Sequence, residues 1–367
     1  MLSLNMPKFC CKVKWSGLVK NYPFLIRLFN FEYWPSYSFY LPMLVYYFIL
    51  ALRSRHLCFF TAANPGIKMG GNGLESKYQT TLKIPEKYRP KTVFAAAGAQ
   101  FDLINQQLKE QPITYPLIAK PDIGFRGLLV KKIYSEAELR AYLDKYPINF
   151  ILQEFIDLPA EFGVLYYRLP HEPKGRLTSV TLKEFLHVLG DGQSTVLQLV
   201  EDKPRAILQL ERLHQTHAQV LDKIPALGEK VNLGEIGNHS KGTFFKNGSH
   251  LIDDQLTTTI DTISKSIDGI YYGRYDIRCT SFEDLKQGKN IKIIEFNGVS
   301  AEPTHIYDPV QSSYFKALRD IARHWSIIYK VAIANHNLGT PYMKPGLMLR
   351  ELKALSAYSR MLSNIAS

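Results

Sequence analysis

The 367-residue sequence predicts an α+β protein built of two or three packed lobes. Three observations point there. The length exceeds what one compact core of ordinary size accounts for. Strand-like and helix-like periods alternate between Tyr115 and Val164. Further on, Gly273–Arg278 and Ile293–Gly298 are two extended runs joined by the polar stretch Ser281–Asn290, which reads as a β-hairpin with a ten-residue connection. Side chains two apart on a strand share a face, so Arg274, Asp276 and Arg278 point one way, as do Glu295 and Asn297. If those faces coincide, two carboxylates and an amide oxygen meet, an all-oxygen set that suits Mg2+. The competing reading is a salt-bridged surface hairpin.

Composition narrows the field. The formal charge is +12, and half the surplus sits in the first sixty residues, where Lys8, Lys12, Lys14, Lys20, Arg27, Arg53 and Arg55 face only Glu32. A basic end fits anionic lipid or a phosphate-bearing substrate; with no zinc-finger or RNA-binding signature, nucleic acid is not expected as a partner. Cys10, Cys11, Cys58 and Cys279 lack metal-ligand spacing and suggest a reduced, cytoplasmic setting. Met1–Cys11 lacks the apolar run of a secretory signal. Phe31–Leu52, framed by Pro42, Arg53 and Arg55, predicts a helix whose uncharged part is too short to span hydrocarbon. It is read as a buried helix of an N-terminal lobe, with peripheral contact at the cytoplasmic membrane face as the first alternative and a true span as the second.

The remaining elements follow in order. Gly66, Gly70, Gly71 and Gly73 form a loop that is either a turn between lobes or a substrate-side loop with Asn64, Lys68 and Lys77. Pro85–Pro90 reads as a linker and Val93–Lys109 as a helix. A strand at Tyr115–Lys120 meets a loop carrying Gly124 and Gly127, and a second strand returns over Leu128–Ile133. Lysine at a strand end beside such glycines offers charge and free N–H groups to phosphate. Ser135 caps a helix to Tyr146, and a strand follows at Phe150–Ile156. Val180–Glu184 is a strand. Gly190-Asp-Gly-Gln-Ser-Thr-Val196 reads as a tight turn into a capped helix, and 201–230 as one or two helices. Asn238–Thr243 is a polar loop with Lys241 and His239. Helices are expected over Asp253–Ile267, Tyr314–Asn335 and Gly346–Ile365.

Five of these pieces, in this order, resemble the ATP-grasp superfamily, whose carboxylate–amine ligases include D-alanine–D-alanine ligase and cyanophycin synthetase. The likeness covers roughly Pro90–Arg323. It implies a fold of two α+β subdomains gripping nucleotide: a divergent N-terminal lobe over 1–89, a smaller subdomain over 90–165, a larger one with the metal site over 166–330, and a C-terminal amphipathic helix over 331–367. It further implies that Lys120 and the loop with Gly124 and Gly127 hold phosphates. Gln153, Glu154 and Ile156 would grip adenine, and Glu161 the ribose. Asp276, Glu295 and Asn297 would bind two Mg2+ ions, with Mn2+ an alternative, and Arg274 and Lys241 would be catalytic.

The reaction so implied is ATP-dependent C–N bond formation. A carboxylate attacks the γ-phosphate of ATP to give an acyl phosphate and ADP, and an amine then displaces inorganic phosphate from the acyl phosphate. The substrates would be a small or peptide-like acid and amine. The chain departs from the dipeptide ligases over residues 1–90 and at Gly298–His305, where Glu302 is an odd neighbour for an amino-acid carboxylate. Two other readings are an ATP-grasp kinase acting on a hydroxyl and a nucleotide-binding sensor without chemistry.

Overall fold

The computed structural model describes residues 22–124 and 127–366. Lys8, Lys12, Lys14, Lys20, Cys10 and Cys11 lie outside the described residues, as do Phe125 and Arg126 of the glycine loop. The chain divides into a smaller unit, Met1–Trp34 with Leu186–Glu235, and a larger one, Pro35–Phe185 with Ile236–Ser367.

The strands in chain order are β1 Thr92–Ala95, β2 Leu117–Pro121, β3 Lys131–Ile133, β4 Phe150–Glu154, β5 Ala160–Tyr167, β6 Arg176–Glu184, β7 His187–Leu189, β8 Lys230–Asn232, β9 Phe244–Asn247, β10 Tyr272–Cys279 and β11 Ile291–Asn297. In the larger unit they make two antiparallel sheets, ordered β1-β4-β2-β3 and β11-β10-β5-β6-β9. This is a mixed α and β architecture, as expected from the sequence.

Each sheet turns one face to helices and the other to the site. In the first, Val93, Leu117, Ala119, Ile133, Phe150 and Leu152 bury against the helices Phe101–Glu110 and Glu136–Lys145, and Leu362 of the C-terminal helix enters the same core. In the second, Phe162, Val164, Val180, Tyr275, Ile277 and Phe296 bury against Leu256, Ile260 and Ile263 of the helix Asp254–Lys265. The alternation that hides one set of residues necessarily presents the other.

Several local expectations are corrected. Thr92–Ala95 is a strand paired with β4, not the start of a helix, because β-branched and aromatic residues there fit a half-covered pleat better than a helix. The helix begins only at Phe101. The ten-residue connection between β10 and β11 contains the helix Phe282–Gln287, capped by Ser281 and stopped by left-handed Gly288. Residues 201–230 break into short helices before β8, which pairs with β7. That small unit has its own core of Leu186, Val188, Val196, Val200, Leu213 and Val231. Within it, Asp191 accepts the backbone N–H groups of Gln193 and Ser194, and Thr195 and Gln198 form the reciprocal cap expected of the turn.

The aromatic helix is Ser36–Ser54, with Pro42 inside it. Proline has no N–H for the carbonyl four residues back. That carbonyl, on Ser38, accepts the Tyr314 hydroxyl at 2.7 Å instead, which ties this helix to the long helix Tyr314–Asn337.

Candidate active site

The register of β10 against β11 decides what converges. Arg274 lies opposite Asn297 and Asp276 opposite Glu295, so all four side chains stand on one face. The next rung pairs Ile277 with Ile293, leaving Ile294 as an extra residue in a bulge. Across β10's other edge, Asp276 faces Gly163 and Arg278 faces Glu161. From β6, Lys183 completes the face with its ammonium between two acids, 2.8 Å from Glu161 Oε1 and 3.0 Å from Asp276 Oδ1.

Asp276 is the most heavily bonded of the acids. Arg274 Nε donates to its Oδ1 at 3.0 Å, and Arg274 Nη2 and Asn297 Nδ2 each donate to its Oδ2 at 3.2 Å. Burial alone would raise its carboxyl, but Arg274 and then Lys183 outweigh burial and hold it at about 2. Glu295 is more open, with about a third of its side chain (32%) exposed, and Lys77 Nζ lies 3.3 Å from its Oε1. Burial raises this carboxyl too, and Lys77 followed by Lys120 brings it below the ordinary glutamate value. Both carboxyls thus lie below their ordinary values, the direction that favours holding a cation.

Gly163 is the gap that admits the Arg274–Asp276 pair. A Cβ there would sit 3.3 Å from Arg274 Cδ and 3.4 Å from Asp276 Oδ1. Among the four glycines of the loop at 66–73, Gly71 meets Gly298 backbone to backbone; a Cβ on it would lie 2.6 Å from Gly298 Cα. Val299 and Ser300 donate to the carbonyls of Gly70 and Gly71. This loop is thus packed on the exit of β11.

Of the three polar residues expected from that loop, only Lys77 joins the site. Asn64 is buried and spent on backbone, donating to Gly70 O and Tyr272 O and accepting from the N–H groups of Tyr271 and Tyr272. Lys68 pairs with Glu351 at 2.9 Å.

The first sheet contributes from the opposite side. Lys120 stands opposite Ile151, and Gln153 opposite Ile118, so Lys120 and Gln153 share a face. Lys120 Nζ donates to Ile294 O, the carbonyl of the bulged residue, at 3.0 Å. Burial first, then Lys77, lowers the Lys120 pKa, with Glu295 opposing. Lys77 also donates to Gly124 O at 3.2 Å. At the other end of the glycine loop, a Cβ on Gly127 would lie 2.9 Å from Asn238 Nδ2 and 3.7 Å from Lys241 Nζ. Gly124 therefore lies on the Glu295 side of the site, and Gly127 and Lys241 come together as neighbours.

Other expected residues are placed differently. Gln153 is buried and donates to Thr92 Oγ1 at 3.1 Å. Glu154 lies on the opposite face from Lys120, its carboxylate accepting the Lys91 N–H at 2.9 Å. Ile156 follows the end of β4, partly buried. Glu161 is held between Lys183 and Arg278, whose Nε lies 2.8 Å from Oε2 as an ion pair without hydrogen-bond alignment. A ribose hydroxyl would have to share that carboxylate with both cations.

Lys183 was missed in the sequence, although the polar alternation Thr181, Lys183 within a strand was its signal. In sum, Lys77, Lys120, Lys183, Arg274 and Arg278 gather around Glu161, Asp276 and Glu295, a positive surplus suited to a polyanion. Among the described residues, no group of three or more His, Cys, Asp and Glu converges as a metal centre. Two carboxylates and one amide fit Mg2+ when phosphates complete its shell.

No family model matches the chain, and no curated protein matches it. The chain is similar in structure to solved ligases. One is D-alanine–D-alanine ligase from Bacillus anthracis, at 12% identity and TM-score 0.42 over 74% of this chain and 72% of that one. A second is the VanG D-Ala:D-Ser ligase from Enterococcus faecalis, at 16% identity and TM-score 0.37 over 69% and 61%. A third is the bifunctional glutathione synthetase from Pasteurella multocida, at 15% and 0.35, where the match spans 71% of this chain but only 38% of that one. These are distant likenesses.

Proposed function

We propose that the chain is an ATP-dependent carboxylate–amine ligase that forms an amide or peptide bond while ATP goes to ADP and phosphate. One observation carries this reading: Asp276, Glu295 and Asn297 share a face with Arg274 and Lys183, while Lys120 and Lys77 reach the same place. Gly124 accepts from Lys77 beside them, and Gly127 lies against Asn238 and Lys241.

In this reading Lys120, Lys77 and Lys183 hold the phosphate tail, and Gly124 and Gly127 close over it to keep water out. Asp276, Glu295 and Asn297 would hold Mg2+, which when bound neutralises phosphate oxygens and keeps them in line. Arg274, oriented by Asp276 and by the Glu302 carbonyl at 3.0 Å, stabilises the oxyanion that forms as the amine attacks, an effect of about 3 kcal/mol for a positioned donor. Lys241, beside Gly127, would meet the terminal phosphate. Gln153 and Glu161 would serve the nucleoside end, with Glu161 shared as described.

The test is phosphate release from ATP across a panel of acid and amine pairs, with product mass read in parallel. Release that requires both partners, and that disappears in Glu295→Gln while nucleotide still binds, is the expected result. ADP without free phosphate, together with a phosphorylated hydroxyl compound, would assign a kinase instead.

A further inference from the structure

We propose that the outward face of the helix Ser36–Ser54 seats on an anionic lipid bilayer, lying in the plane of the surface. The proposal stands apart from the ligase reading and is tested without turnover.

The helix has two unlike sides. Its inner side is fully engaged. Phe39 is buried against the rings of Tyr307 and Tyr314, Tyr46 meets Ser326 at 2.6 Å, and Leu50 and Ala51 enter the core beneath the long helix. The Tyr40 hydroxyl donates to the Glu302 carboxylate beside Arg274. The outer side carries Tyr37, Leu41, Leu44, Val45, Phe48, Ile49 and Leu52, each between 42% and 77% exposed. At about 100° per residue these fall within an arc of roughly 140°, one continuous apolar stripe. Apart from Ser38, partly exposed near one margin of the arc, the exposed side chains here are aliphatic or aromatic, and such a stripe marks an interaction surface.

Charge decides the occupant. Between Glu32 and Glu75 the sequence has no acidic residue, while Arg53 and Arg55 stand exposed at the end of the stripe. A second copy seated here would bring no acid from this face to meet those arginines, whereas anionic headgroups would. Aromatic and basic residues at the margin of an apolar stripe are the pattern of an interfacial helix. No helix among the described residues is long and apolar enough to cross a membrane, so the seat is in-plane.

The experiment uses the full chain and co-sedimentation with phosphatidylcholine vesicles, with and without phosphatidylserine. The chain should pellet with the phosphatidylserine vesicles, and less so as salt rises. The combined variant Leu41→Ser, Val45→Ser and Leu52→Ser should weaken that partition by at least about tenfold, with an unchanged thermal midpoint. Arg53→Glu with Arg55→Glu leaves the stripe intact and should remove the preference for phosphatidylserine; it decides the matter if the serine variant does not fold. Failure of the chain to pellet with either vesicle overturns the proposal. So does a vesicle-free dimer, seen by sedimentation equilibrium, that the serine variant dissociates, since a second copy would then cover this face.

Discussion

Replacing Lys183 with Met would leave Glu161 and Asp276 without the ammonium that separates them. Removing one partner of a buried ion pair strands the other charges, so the expected loss is on the order of 3 kcal/mol, read from urea unfolding at neutral pH. The sign with pH is fixed by Asp276. Its folded carboxyl is depressed to about 2, so its stabilisation is present above the unfolded value of about 3.9 and is lost as pH falls toward 2. The deficit of the variant should therefore shrink in acid. At Gly163, alanine would press on Arg274 and Asp276. The expected result is a drop in acid- and amine-dependent phosphate release of about tenfold or more, exceeding any change in nucleotide affinity. Much at this scale was legible: the two-residue period of a strand places Arg274, Asp276, Glu295 and Asn297 on their faces before any register is known. Lys77 was one of three candidates that the sequence could not rank, and Lys183 was missed because its alternation with Thr181 names a face but not its partners, which are distant in sequence.

The bond between Tyr314 and the carbonyl orphaned by Pro42 ties two helices together. Tyr314→Phe should cost about 1 kcal/mol in the native background. In a Pro42→Ala background the helix can supply its own N–H to Ser38, and the same change should cost measurably less, a coupling that a double-mutant cycle reads directly. Helices were legible where cap and stripe agree, as at Ser135, where the Glu138 N–H donates to the serine hydroxyl, and along the long helix from Tyr314. Short elements were not. β7 and β8 have three residues each and exist only by pairing with one another, and the helix 282–287 is too brief for a period to show against its charges. Thr92–Ala95 was misread because the alanines after it suggested a helix that starts only at Phe101.

Across the whole molecule, acid sensitivity should also rise from His324, which is buried beside Tyr272, 3.1 Å from its hydroxyl, and faces His305, Arg323 and Asp320. Burial first, then His305 and Arg323, pushes its pKa down to about 3, with Asp320 opposing. The unfolded chain takes a proton near pH 6.5 that the folded chain refuses, so stability declines as pH falls from about 6.5 toward 3, at up to ~1.4 kcal/mol per pH unit. Denaturant titrations at several pH values should show this decline in the native chain and a flatter one in His324→Phe. The general α and β architecture was legible from alternating periods. The separate core of 186–235 was not, because nothing in its composition distinguishes it from the stretches on either side.

Ile294 is a surplus residue whose removal would leave the flanking register intact. A chain lacking it would keep Asp276 across from Glu295 and Ile277 across from Ile293, with no strand turned inside out. What vanishes is the oxygen on which Lys120 rests. Such a deletion would set that lysine adrift while every neighbouring rung stays in step, isolating the role of its anchorage from the role of its charge.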